Sequence, residues 1–284
     1  MSRIAYIDGR YQPLTWPGIQ VEDRGYQFSD GVYEVVRLRD GNLLDEERHL
    51  DRLDYSLQEL SIGQPMSRPA LKLVMREVLR RNRLQNAILY IQVSRGVAPR
   101  EHSFEESLKP VLVMTVRPLS ASKREAIHRD GIEVISVPDQ RWARCDIKSI
   151  SLLPNILARQ KARDAKVQEA WQIDEQGMVT EGAATNAWIV DSGGFLRTRP
   201  ARGEILNGIV RQVLLQCAEQ AGLKLKQEAF SLDEAKAAKE AFSTASTMAV
   251  FPVVSIDGVK IGNGKPGDIA QKLAAAYERV NETS

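Results

Sequence analysis

The chain has 284 residues, 43% of them hydrophobic and 27% charged, with 39 basic residues against 37 acidic ones. That length holds one large domain or two of ordinary size, and charge so evenly spread gives a nucleic-acid partner or an anionic membrane no electrostatic foothold. No apolar run approaches membrane-spanning length, the first residues lack the apolar centre of a secretory leader, and Cys145 and Cys217 match no metal-ligand spacing. A metal-free protein of the reducing cytoplasm is expected.

In chain order, residues 4–12 predict a hairpin turning on Asp8 and Gly9. A loop with Pro13, Pro17 and Gly18 follows, then a polar, glycine-bounded stretch at 22–31. Residues 32–38 predict a strand closed by Asp40 and Gly41. Alternation puts Val32, Glu34, Val36 and Leu38 on one face and Tyr33, Val35 and Arg37 on the other. Neither face is purely apolar, which suits a strand lining a polar cavity. Tyr33 is then either a half-buried strand aromatic or part of a site.

Residues 45–61 predict a helix with Leu50, Leu53, Leu57 and Leu60 on its inner stripe. His49 and Arg52 are three apart and share the face beside that stripe. Arg52 either pairs at the surface with Asp51 or Glu47, or turns inward to grip a phosphate with two parallel hydrogen bonds. Ser67, Arg68 and Pro69 open a second helix, to about Arg81, with Leu71, Val74, Met75 and Val78 as its core face. A strand at 87–95 leads into a glycine- and proline-containing loop at 96–104. There Arg100 and His102 are either ordinary exposed residues or a clamp for a carboxylate. A strand at 110–117 closes a first domain, 1–117; residues 118–124 read as a linker, and 125–284 as a second domain.

The second half turns on Lys148. It follows an apolar-rich strand at 132–137 and a turn containing Pro138 and Asp139, and it is flanked by Ile147 and Ile150. A lysine at such a strand end meets little water. Burial disfavours the ammonium form, and a neutral amine is what a Schiff base to an aldehyde cofactor requires. The plain alternative is one more surface lysine. A helix runs from near Asn155 to about Lys166, and 170–177 is a strand and turn. Glu181, before Gly182, falls in a turn between two strand-like pieces, either facing solvent or accepting a hydrogen bond from a protonated pyridine nitrogen. The residues 192–194 close a hairpin. Asn207 and Gly208 precede an apolar helix to about Gln220, whose free N–H groups suit a phosphate. A short helix is expected at 232–238, and a strand in 240–252 runs into a turn where Ser246 and Thr247 offer hydroxyls. A hairpin turns at Asp257 and Gly258, and a last helix spans about 266–280.

Six stretches, taken together and in this order, resemble the D-amino-acid aminotransferase branch of the fold type IV pyridoxal-phosphate enzymes. They are residues 22–36 (Glu-Asp-Arg-Gly onward), His49–Leu53, Ser94–Phe104, Asp146–Ala158, Thr180–Asn186 and Leu206–Arg211. The resemblance covers nearly the whole chain. It implies an α/β (α+β) protein of two domains, a smaller N-terminal α/β domain and a larger C-terminal mixed, β-barrel-like domain with helices. It implies pyridoxal 5′-phosphate as cofactor, joined to Lys148, which also moves the substrate Cα proton. By the same resemblance Glu181 holds the pyridine nitrogen and Leu206 packs on the ring. Arg52, the Ile209 and Val210 N–H groups, Ser246 and Thr247 bind the phosphate.

Tyr33, Arg100 and His102 are implied to bind the substrate carboxylate. In the family the arginine and histidine reach across from a partner subunit, so a homodimer is implied. The reaction implied moves the amino group of a D-amino acid such as D-alanine, D-glutamate or D-aspartate to 2-oxoglutarate or pyruvate in two half-reactions. The Arg100–His102 pair separates this branch from its nearest rival, the L-branched-chain aminotransferases. An aminodeoxychorismate lyase and a non-catalytic cofactor-binding protein stand further off as rival readings. Ala183 and Ala184, Val210 and Met248 depart from the family's usual serines, threonine and acidic residue.

Overall fold

The computed structural model describes residues 3–105 and 107–280. It divides into two compact units, Met1–Leu119 with Ile147–Ser151, and Ser120–Asp146 with Leu152–Ser284.

The first unit is one six-stranded, antiparallel sheet with helices packed on it. Its strands are β1 (Ile4–Ile7), β2 (Arg10–Pro13), β3 (Gly31–Arg39), β4 (Asn42–Leu43), β5 (Ala87–Ser94) and β6 (Val111–Pro118). They lie in the order β2-β1-β6-β5-β3-β4. The expected Asp-Gly turns form the β1–β2 and β3–β4 hairpins, each with both residues in the left-handed region. The helices of this unit are α1 (Arg24–Phe28), α2 (Glu46–Glu59) and α3 (Arg68–Asn82). The stripe of α2 buries Leu50, Leu53 and Leu57 against Val32, Val36 and Leu38 of β3, the face that alternation predicts. The polar stretch at 22–31, which carries no helical period, contains α1, capped by the Asp23 side chain on the Gly25 N–H.

The second unit carries a nine-stranded mixed sheet. Its elements are α4 (Ala121–Asp130), β7 (Ile132–Pro138), α5 (Leu153–Asp164), β8 (Glu169–Ile173), β9 (Val179–Gly182), β10 (Asn186–Val190), β11 (Leu196–Thr198), α6 (Ile209–Gln220), β12 (Leu225–Gln227), α7 (Leu232–Lys236), β13 (Glu240–Ala245), β14 (Ala249–Ile256), β15 (Val259–Lys260) and α8 (Asp268–Val280). The main path is β12-β11-β10-β13-β14-β7-β8-β9, with β15 on β14. The central β7 is parallel to both β14 and β8. The last strand, β9, also lies against β10, so the sheet curls back towards closure as a β-barrel-like domain does.

The expected boundary between domains differs from the observed one in two places. Residues 118–124 are not an extended linker: Pro118 ends β6 and α4 begins at Ala121, with the Ser120 hydroxyl accepting from the Lys123 N–H. Serine and lysine composition there reads equally as a loop or a helix start, and the cap decides it. Residues 147–151 lie within the second half of the sequence yet pack with the first unit.

Candidate active site

In the first unit, β4 covers β3 only at Leu38 and Arg39, which leaves the Gly31–Tyr33 edge available. The segment 147–151 occupies that edge. The Tyr33 N–H donates to the Lys148 carbonyl at 3.0 Å, and the Ile150 N–H to the Gly31 carbonyl at 3.0 Å. Val32 and Ser149 form an antiparallel bridge between them. On the other side, the Lys148 N–H donates to Ser56 Oγ of α2 at 3.2 Å. Lys148 is therefore not at the end of β7, as its place in the sequence suggests. It sits ten residues beyond that strand, in a short edge segment fixed at three points, and its side chain is half-buried rather than sealed from water. Its Nζ lies 4.2 Å from the centre of the Tyr33 ring.

Beside Tyr33, Glu34 points to the opposite, helix-covered face and is completely buried. Arg52 meets it side-on, Nε to Oε1 at 2.7 Å and Nη2 to Oε2 at 2.9 Å, and His49 Nδ1 lies 2.7 Å from Oε2. Burial works against the Glu34 charge, but the charges and hydrogen bonds of Arg52 and His49 outweigh it and hold the carboxyl well below its usual range. Arg52 thus turns inward to Glu34, while Arg68 pairs with the surface carboxylates of Glu47 and Asp51. Alternation marks Glu34 only as a strand position, because it reports which face a residue occupies and not what it meets there.

In the second unit, Glu181 lies inside β9 and not in a turn. The turn comes after it, where the Gly182 N–H donates to the Thr185 carbonyl. Glu181 is 6% exposed. Its Oε2 accepts from Asn186 Nδ2 at 2.8 Å and from the Leu206 N–H at 3.2 Å, while Oε1 pairs with Arg141 Nη1. Arg141 is itself clamped by Asp139, Nε to Oδ1 at 2.9 Å and Nη2 to Oδ2 at 2.7 Å. Burial opposes the Arg141 charge, and Glu181 and Asp139 more than restore it, so its affinity for its proton is raised. The neighbouring Cys145 thiol is pushed up to about 11, by burial first and with Arg141 opposing. Arg141 and Asn186 escape sequence reasoning: a two-residue Asp139–Arg141 spacing and one asparagine after a threonine carry no pattern of their own.

Asn186 ties this cluster to the start of α6. Its amide also donates to the Leu206 carbonyl at 2.8 Å, and Gly208, the N-cap of α6, comes so close that a Cβ there would stand 2.1 Å from Asn186 Oδ1. The first-turn N–H groups of Ile209 and Val210 have no partner one turn earlier in the helix. Asn186 is also opposite Thr244 of β13, two residues before the Ser246–Met248 turn. Leu206, α6 and the half-buried Ser246 and Thr247 thus belong to one end of the second unit's sheet. Met248 is buried, at 2% exposure, where a charged residue would lack water.

Arg100 and His102 are exposed and both rest on Phe28: Arg100 Cζ is 4.7 Å from its ring centre, and the His102 ring lies 5.6 Å away, tilted by 42°. They belong to the first unit.

Residues 31–256 match the amino-transferase class IV family. The chain is 38% identical over 280 residues to a D-alanine aminotransferase of Bacillus licheniformis, with 98% of each chain covered. Among solved structures, the branched-chain amino acid aminotransferase of Escherichia coli aligns with a TM-score of 0.90 at 21% identity, covering 99% of this chain and 95% of that one. The T.th. branched-chain amino acid aminotransferase with pyridoxamine 5′-phosphate also aligns with a TM-score of 0.90, at 22% identity, over 100% and 96% of the two chains. At those identities the two structures speak for the fold, whereas the family match and the full-length relative speak for kinship: the chain belongs to the class IV aminotransferases.

Proposed function

We propose that this chain is a transaminase of D-amino acids, D-alanine foremost, with a 2-oxo acid as acceptor. The cofactor is pyridoxal 5′-phosphate; the T.th. structure that shares the fold holds its amine form, pyridoxamine 5′-phosphate. The donor set fits it. Lys148 offers a primary amine on a segment fixed by backbone bonds at three points. Glu181 offers a carboxylate held by Arg141, Asn186 and the Leu206 N–H. Ile209 and Val210 open α6 behind a glycine, next in space to Asn186.

When bound, the cofactor supplies an electron sink for negative charge developing at the substrate Cα. Lys148 would be its covalent anchor in the resting enzyme and, with its amine free, the base that removes and returns the substrate Cα proton. The Tyr33 ring beside Nζ limits the directions in which the amine can swing. Glu181 accepts a hydrogen bond from the pyridine N–H, and Arg141 balances the carboxylate's charge in a buried site. Leu206 packs on the ring, with its backbone fixed on both sides by Glu181 and Asn186. Arg52, Ser246, Thr247 and the α6 N–H groups bind the phosphate. Glu34 holds the Arg52 guanidinium in one plane, so that its orientation is set before any anion arrives.

Tyr33, Arg100 and His102 bind the substrate carboxylate, the latter two from a partner subunit in a homodimer. Holding the carboxylate on one side and the base on the other selects the hand of the substrate. The observation that carries the reading is Lys148 beside Tyr33 in a chain that is 38% identical over 280 residues to a D-alanine aminotransferase. The test adds D-alanine or L-leucine, separately, to the yellow holoenzyme and follows the visible band. Bleaching by D-alanine is expected. Bleaching by L-leucine alone would reject the assignment in favour of the branched-chain activity.

A further inference from the structure

Arg24, the first residue of α1, is 4% exposed and has no part in the chemistry described so far. Its Nε donates to Asp30 Oδ2 at 2.8 Å. Its remaining donors reach three successive backbone carbonyls of one loop, those of Glu101 at 2.6 Å, His102 at 3.2 Å and Ser103 at 3.3 Å. Arg95, 5% exposed, shares the same carboxylate, Nε to Oδ2 at 2.7 Å and Nη2 to Oδ1 at 3.0 Å. Its other bonds go to the Leu60 and Ser61 carbonyls at 2.8 and 2.9 Å. Two buried guanidinium groups therefore stand on one carboxylate, so among the described residues their two positive charges meet a single anion. A buried charge in that condition is costly unless dipoles solvate it. The carbonyls of 101–103 supply those dipoles, so the loop and the arginine hold each other in place.

The loop is also fixed at its stem and along its face. The Arg24 N–H donates to the Gly96 carbonyl at 2.8 Å, and the Ala98 N–H to the Glu22 carbonyl at 3.2 Å. Gly96 adopts φ +119°, and a Cβ there would stand 2.2 Å from the Lys109 carbonyl oxygen, so only glycine lets the two ends of the loop approach. The Phe28 ring is shared by Arg24, whose Cζ is 4.9 Å from its centre, and by Arg100 and His102. The Arg95 guanidinium stacks on Phe104 at 3.5 Å.

We propose that Arg24, braced by Asp30, is a positioning residue for recognition of the substrate carboxylate: it fixes the 101–103 backbone so that Arg100 and His102 present their side chains at one set spacing. This rests on the reading of Arg100 and His102 as carboxylate-binding residues. Because Arg24 acts through that loop and touches neither substrate nor cofactor, its loss should appear in KM and not in the proton-transfer step.

The experiment compares holoenzymes of wild type, Arg24→Met, Arg24→Lys, Arg100→Ala and the Arg24→Met/Arg100→Ala double variant. KM and kcat are measured for D-alanine, and the dissociation constant of the cofactor by titration. Arg24→Met is expected to raise KM about tenfold or more, the scale of one charge-assisted bond, with kcat within about threefold of wild type. Cofactor affinity should stay the same. Arg24→Lys, which keeps the charge but reaches fewer carbonyls, should fall between. The double variant should cost less than the product of the two single losses, because part of what Arg24 does is done through Arg100 and the rest through His102.

An unchanged KM in Arg24→Met, or losses that multiply in the double variant, would overturn the inference while leaving the D-amino-acid reading intact. Wild-type holoenzyme inert towards D-alanine would overturn both. Should Arg24→Met not accumulate as folded protein, Arg24→Lys serves in its place. It keeps the charge beside Asp30 but reaches fewer of the three carbonyls, so a raised KM with unchanged cofactor affinity is expected; an unchanged KM would count equally against the proposal.

Discussion

In the first unit, Glu34 is held by a guanidinium and an imidazole together. It is a carboxylate with no exposed surface, and Arg52 and His49 meet it on both oxygens. A group whose folded pKa lies below its unfolded one adds stability above the unfolded value, here 4.5, and that contribution fades as pH falls towards the folded value. The wild-type melting temperature should therefore drop steeply as pH is lowered below about 4.5, partly through this residue. Glu34→Gln removes the carboxylate that grips the buried Arg52 guanidinium through two bonds and should cost about 3 kcal/mol or more at pH 7. Its melting temperature should vary less with pH in the acid range than that of wild type. Thermal denaturation of both proteins from neutral to acid pH checks this; equal stability at pH 7 would show that the Glu34–Arg52 pair is dispensable.

At the scale of elements, the start of α6 is set by one close approach. Gly208 has an ordinary φ of −60°, so backbone strain does not demand glycine there; the space taken by Asn186 does. Gly208→Ala should push the Asn186 amide off Glu181 and Leu206 and weaken cofactor binding about tenfold, with the melting temperature of the cofactor-free protein lowered by only a few degrees. Titration of cofactor into the two cofactor-free proteins measures the difference; equal affinities would separate Asn186 from the site.

Elements are legible in the sequence where a strong period or a turn residue marks them. The leucine stripe of α2, the alternation of β3 and the Asp-Gly hairpins all lie where those signals place them, within a residue or two. The short helix α1 and the helix α4 are not legible, since a five-residue element has no period and α4 buries no residue. The placement of Lys148 on an edge of β3, more than 110 residues earlier in the chain, is a long-range pairing that no local pattern contains. The same limit hides Glu34 as the partner of Arg52 and Arg141 as the partner of Glu181.

At the scale of the whole molecule, no helix among the described residues is long and apolar enough to cross a membrane. The proposed homodimer makes a prediction of its own. If Arg100 serves the partner's site and Lys148 its own, then Arg100→Ala and Lys148→Ala subunits are each impaired alone. Refolded together at equal amounts, they should form mixed dimers with one intact site and recover about a quarter of wild-type activity. No recovery on mixing would place both residues in a site built from one chain.

Every role proposed for the other site residues presupposes Lys148 as the covalent anchor of the cofactor. The direct measurement is borohydride reduction of the holoenzyme followed by proteolysis and mass spectrometry of the peptides. The added mass of the reduced cofactor is expected on the peptide containing Lys148; its appearance on any other lysine, or on none, would contradict that anchorage.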